Sequence, residues 1–185
     1  MNVLIFNGSI DNRPYATSNR LAGYFKEQFS NNHFSPEIFS LSDIQIPFFD
    51  QSTTGEKPAS VQAMCEAFCK ADLHIWLTPL YHGGMTGAMK NCLDWLEVTS
   101  KLGRPYLTGK VVALVSWADG TQAMQGINAM DAVAKALRAW VLPFSVPILK
   151  DSLYDPQTQE FTAYYKTKFD TMIQLLATSR AQVAS

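Results

Sequence analysis

Five short apolar runs punctuate the chain, each joined to the next by a stretch whose apolar side chains recur at helical spacing or by a polar loop. The first run is residues 3–6, Val-Leu-Ile-Phe, stopped by Asn7, Gly8 and Ser9. A buried strand feeding a turn has this form. Leu21, Ala22, Phe25 and Phe29 then share one helical face, with Thr17 or Ser18 placed to cap it. Residues 37–41 read as a second strand, and residues 43–60, with Pro47, Gly55 and Pro58, as a long loop. A helix over about 60–71 turns Val61, Met64, Cys65 and Phe68 inward.

The third run is residues 73–77, followed by Thr78, Pro79, Leu80, Tyr81, His82, Gly83 and Gly84. Met85, Met89, Cys92, Leu93 and Leu96 next recur at helical spacing. The fourth strand is residues 110–115, ending in Ser116, Trp117, Ala118, Asp119 and Gly120. A helix over about 122–140 leads to a fifth strand at residues 144–149. The last helix, about 159–178, carries Phe161, Tyr165, Phe169, Met172, Ile173 and Leu176. Strands joined by helical crossovers are parallel, and a parallel sheet needs cover on both faces. The reading is therefore an α/β fold, a five-stranded parallel sheet between two helical layers. There is no internal repeat and no linker-like tract, so one domain is expected over residues 1–185.

Composition narrows the function. The chain has 185 residues, and 15 Lys and Arg against 16 Asp and Glu give a formal net charge of −1. A nucleic-acid binder would carry a basic excess, and no apolar run approaches the roughly 18 residues of a membrane span. Neither partner is expected. The N-terminus lacks the basic segment of a secretion signal, and an odd set of cysteines, Cys65, Cys69 and Cys92, reads as reduced thiols. A cytoplasmic protein is expected. Cys65 and Cys69 share a helix face, but no second pair accompanies them, so buried thiols are favoured over a metal site.

In an open doubly wound sheet, ligands bind beyond the carboxyl ends of the strands. Three strand ends carry unusual loops. Residues 8–19 join the first strand to a helix start, where free backbone N–H groups favour a phosphate. Ser9, Thr17, Ser18 and Asn19 add donors there, and Arg13 a cation. An ordinary βα loop with a helix cap would look similar. The spacing is neither that of a P-loop nor that of a dinucleotide fingerprint. After the third strand, glycines at 83, 84 and 87 permit close approach to a flat ligand, with Tyr81 and His82 at the mouth. After the fourth, residues 116–122 form either a capped turn or a third wall.

Together these segments resemble the NADPH-dependent FMN reductase family, flavodoxin-like proteins that include quinone, azo-dye and chromate reductases. The shared residues are Gly8 and Ser9, then Arg13, then Ser18 and Asn19. They are followed by Pro79, Tyr81, Gly84, Gly87, Lys90, Asn91, Asp94 and Trp95. The first loop is longer than the family's usual Gly-Ser-x-Arg-x-x-Ser form. The resemblance implies a flavodoxin-like strand order, 2-1-3-4-5, and bound FMN. It implies that Ser9, Arg13, Thr17, Ser18 and Asn19 hold the FMN phosphate. Pro79, Leu80, Tyr81, His82, Gly83 and Gly84 would lie along the ring or its tail, and Ser116, Trp117 and Gly120 on the far side. NADPH or NADH would supply hydride, and a small-molecule acceptor such as a flavin or quinone would take the electrons. No side chain is then required as a catalytic acid or base, because the cofactor carries the chemistry. The family is commonly dimeric or tetrameric, and Trp95, Leu96, Trp117 and Trp140 suit a subunit contact. The alternatives are a non-enzymatic flavodoxin-type electron-transfer protein, which usually has a strongly acidic face, and a relative that has lost its cofactor. Lys90 and Asp94 read as a helix-surface pair.

Overall fold

The computed structural model describes residues 1–53 and 57–183; Gly55, part of the expected long loop, lies outside them. In chain order the regular elements are β1 (Asn2–Asn7), α1 (Thr17–Asn31), β2 (Ser35–Ser40), α2 (Ala59–Lys70), β3 (Leu73–Pro79), α3 (Gly87–Asp94), β4 (Val111–Ala118), α4 (Ala123–Ala136), β5 (Trp140–Val141), β6 (Val146–Leu149) and α5 (Ala163–Val183). Short 3₁₀ turns cover Gln51–Thr53, Trp95–Thr99 and Lys150–Ser152.

All strand pairings are parallel, in the expected order β2-β1-β3-β4-β5, with β6 also beside β4. Every residue of β3 is buried, as are all but the last of β4. Burial on both faces is why these strands read as unbroken apolar runs rather than alternating ones. One layer packs Leu21, Phe25 and Phe29 of α1 against Phe169, Met172 and Leu176 of α5. The opposite layer joins Met64 and Phe68 of α2 to Met89 and Leu93 of α3 and Met130 of α4. The molecule is thus an α/β/α sandwich.

Several boundaries differ from the sequence reading. The fifth sheet position, expected as one strand at 144–149, is split: β5 pairs with Val111 and Val112, and β6 with residues 115–118. Pro143 lies in the gap, where it has no N–H for the ladder. The second strand starts at Ser35 rather than at 37, on the sheet edge, where Pro36 is tolerated. Helix α4 ends at Ala136 because Arg138 turns to a φ of 65° and Trp140 enters β5. Phe161 forms a bridge with Tyr154 instead of opening α5. Trp95 and Leu96 are 1% and 0% exposed, and Trp117 6%, so their apolar character fills this chain's own interior and does not provide a subunit contact. Among the described residues, no helix is long and apolar enough to cross a membrane.

Candidate functional site

The carboxyl ends of β1, β3, β4 and β6 surround a cleft of about 570 Å³. That volume suits a small organic ligand. Ser9, Asp11, Arg13, Tyr15, Ala16, Thr17 and Ser18 line it from the loop after β1 and the start of α1. Pro79, Leu80 and Tyr81 contribute from the end of β3, Trp117, Ala118 and Asp119 from the end of β4, and Lys150 from beyond β6.

Asn7, fully buried at the end of β1, organises the first loop. Its Oδ1 accepts from the Ser9 backbone N–H at 3.0 Å, and its Nδ2 donates to Ser40 Oγ at 3.0 Å and Asn19 Oδ1 at 3.3 Å. Asn19 Nδ2 in turn donates to the Arg13 carbonyl at 2.9 Å. Asn19 therefore braces the loop from behind and does not line the cleft. Gly8 passes so close to α3 that a Cβ there would lie 2.6 Å from Met89 Sδ. Thr86 fastens the same contact: its hydroxyl donates to the Gly8 carbonyl at 2.6 Å and accepts from the Met89 N–H at 3.0 Å, capping α3.

The N-cap of α1 is Ala16, with no side-chain cap; Thr17 and Ser18, expected as caps, are its first helical residues. The opening N–H groups of a helix have no intrahelical partner, and no acidic residue occupies this first turn. Ser18 Oγ is buried there without a hydrogen-bond partner. A hydroxyl and several N–H donors thus converge on one side of the cleft, unpaired.

Tyr81 and Gly84 exchange backbone hydrogen bonds at 3.0 and 3.1 Å around His82 and Gly83, whose φ values are 47° and 85°. Positive φ at both central positions marks a tight hairpin turn of the primed type. It carries His82 and Gly83 to an exposed tip, so they and Gly84 do not line the cleft. Ser116 also stays out of it: its side chain is buried beneath Gly126 of α4, with Oγ unpartnered. Gly120 lies behind Asp119, beside Gln122. Of the residues singled out in the sequence, the structure brings Ser9, Arg13, Thr17, Ser18, Pro79, Leu80, Tyr81, Trp117 and Asp119 to the cleft.

Two ion pairs sit in the cleft wall. Arg13 Nη2 lies 2.6 Å from Asp11 Oδ2, and Lys150 Nζ 3.1 Å from Asp119 Oδ1. The Arg13 hydrogen bonds, aided by the charges of Arg13 and Lys150, hold the Asp11 carboxyl down at about 2. Sequence reasoning missed Asp11, Tyr15, Ala16, Ala118 and Lys150 as lining residues. Lys150 had no local signal, because only the pairing of β6 with β4 brings it there.

The Lys90-Asn91-x-x-Asp94-Trp95 segment lies away from the cleft. Asn91 Nδ2 and Trp95 Nε1 both donate to the Pro47 carbonyl, at 2.9 and 2.8 Å, and Asn91 Oδ1 accepts from the Phe49 N–H at 2.8 Å. Its role in the structure is to pin the loop between β2 and α2. Lys90 and Asp94 form an exposed pair at 2.6 Å. Cys65, Cys69 and Cys92 are free, and burial pushes their thiols up, that of Cys65 to about 11. Among the described residues, no group of three or more His, Cys, Asp or Glu could hold a metal ion.

A sequence profile of the NADPH-dependent FMN reductase family matches residues 1–151. The chain belongs to the NADPH-dependent FMN reductase family. Within it, the chain is 29% identical over 141 residues to the NADPH-dependent FMN reductase ArsH of Acidithiobacillus ferrooxidans, covering 75% of this chain and 57% of that protein. It is 27% identical over 156 residues to an NADPH azoreductase of a Bacillus species, covering 83% of this chain and 79% of that one. Solved structures share the fold. An oxidoreductase from Corynebacterium diphtheriae superposes with a TM-score of 0.74 at 15% identity, covering 98% of this chain and 97% of that one. The flavoenzyme FerB of Paracoccus denitrificans gives 0.73 at 16% identity, with 95% of each chain covered.

Proposed function

We propose that this family member binds FMN in the cleft and passes hydride from NADPH or NADH to a small acceptor, a flavin, quinone or similar molecule. The observation that carries this reading is Ser18. Its buried hydroxyl, unpartnered at the open N-terminus of α1, calls for an acceptor, and a phosphate supplies one. Bound FMN would supply the hydride chemistry. The chain supplies the rest. Ser9, Thr17, Ser18 and the first N–H groups of α1 take the phosphate, on a loop that Asn7 and Asn19 hold in place. Leu80, Tyr81, Trp117 and Ala118 would lie against the ring. They come from neighbouring strand ends, which the Leu80 N–H ties together by donating to the Trp117 carbonyl at 2.8 Å. Asp11 and Asp119 pair with Arg13 and Lys150, so they balance charge in the cleft.

The chain works in the cytoplasm as a homodimer or homotetramer. Exposed Phe48, Tyr15 and Trp140 support self-association, which sedimentation would read directly. Purified protein loaded with FMN should be yellow and should oxidise NADPH when a quinone or free flavin is added. A protein that FMN cannot tint overturns the reading. A yellow protein inert to both pyridine nucleotides, yet reducible by a partner reductase, would favour the electron carrier.

A further inference from the structure

The cleft contains two cations, and their commitments differ. Arg13 is engaged by Asp11 at every turn: Nε donates to Oδ1 at 2.9 Å and Oδ2 at 3.2 Å, Nη2 to Oδ2 at 2.6 Å, and the Arg13 backbone N–H to Oδ1 at 3.1 Å. A planar fork bound at both oxygens is the strong form of ion pair. Among the described residues the Lys150 ammonium has one polar contact, 3.1 Å to an Asp119 carboxylate that is 85% exposed. Its charge also reaches Asp11, on the opposite wall of the cleft. Exposed single-contact pairs contribute little, and water can take over Asp119 once the lysine turns away. Lysine is moreover a flexible point charge that serves phosphate well.

We propose that Lys150, rather than Arg13, is the cation that meets the phosphate of the bound flavin. With Arg13 and Lys150 offset by Asp11 and Asp119, the charged side chains lining the cleft sum to zero. A phosphate brings a charge of about −1.5 to −2, and Lys150 can answer it by exchanging one exposed carboxylate for the ligand. The lengthened first loop is the reason for the shift. It places Asp11 where it captures the arginine, and the cation comes instead from the end of β6. Lys150 is then a cofactor-binding residue supplied by a strand end outside the three loops that the sequence points to.

This inference rests on the flavin reading of the cleft, and its test separates the two. FMN and riboflavin differ by the phosphate alone, so their dissociation constants, measured with apoprotein by quenching of flavin fluorescence, isolate the phosphate contact. In Lys150→Met the preference for FMN over riboflavin should fall about tenfold or more. Riboflavin affinity should stay unchanged, which also shows that the variant is folded. Lys150→Arg should keep the preference, and the double variant Asp11→Asn/Arg13→Gln, which removes that pair without changing the net charge of the cleft, should leave it within about twofold. A Lys150→Met protein with the wild-type preference, or a double variant that loses it, overturns the assignment while leaving the flavin reading intact. Wild-type protein that binds neither flavin overturns both.

Discussion

Among the described residues, two serines are buried with hydroxyls that have no partner, Ser18 and Ser116, and their settings give opposite expectations. An unsatisfied buried hydroxyl costs about 1–3 kcal/mol. Ser116 Oγ is enclosed below α4, where a Cβ added at Gly126 would lie 2.2 Å from it, and no ligand can reach that space. Ser18 is one of the residues that line the cleft. Replacing either by alanine should therefore stabilise the ligand-free protein by about 1 kcal/mol in urea unfolding. Only Ser18→Ala should weaken FMN, by about tenfold. Equal effects of the two substitutions on FMN affinity would refute the view that Ser18 is a phosphate ligand. Gly126 itself belongs to the same contact. An alanine usually gains about 0.5–1 kcal/mol over glycine inside a helix, but here its methyl would also lie 3.0 Å from Ser116 Cβ. Overpacking of that kind costs about 1–3 kcal/mol, so Gly126→Ala should lower the melting temperature.

At the scale of elements, the chain displays its buried strands openly and its edges poorly. β3 and β4 were legible because helices cover both faces, so apolar residues dominate them and no solvent-facing side imposes an alternating pattern. The fifth position was not, because a pattern of apolar residues records burial and not the missing N–H of Pro143. The same limit applies to the site. The loop after β1 declares itself by local chemistry, whereas Lys150 arrives through pairing with a strand more than thirty residues earlier. Asn91 and Trp95 show a third case: a motif that resembles a site but whose observed bonds are structural. Their three hydrogen bonds to Pro47 and Phe49 carry the loop across α3. Asn91→Ala should then cost about 1–2 kcal/mol and speed amide exchange or proteolysis within residues 43–53, with FMN affinity unchanged. A loss of FMN binding with the loop still protected would move the motif back into the site.

For the molecule as a whole, the most consequential titration lies far from the cleft. His74 sits on β3 with no exposed surface, and neither ring nitrogen has a hydrogen-bond partner of normal geometry. Burial pushes its pKa down to about 3; the charge of Lys110 adds to the shift, and the backbone of Ala71 and Phe68 opposes it in smaller measure. The folded protein therefore keeps the ring neutral, while the unfolded chain takes up a proton near the ordinary value of about 6.5. With more protons bound in the unfolded state, stability rises with pH through this window. The contribution is whole above about 6.5 and is lost as pH falls from there toward about 3, at about 1.4 kcal/mol per pH unit. Between about pH 8 and about pH 5 this one group should remove about 2 kcal/mol. The comparison needs a variant that lacks only this group. His74→Leu keeps an apolar side chain of similar size beside Phe68, whose ring centroid lies 5.6 Å from that of His74. Urea unfolding at the two pH values should show the variant losing about 2 kcal/mol less than wild type. Parallel losses would mean that the ring is protonated, and partnered, inside the folded protein.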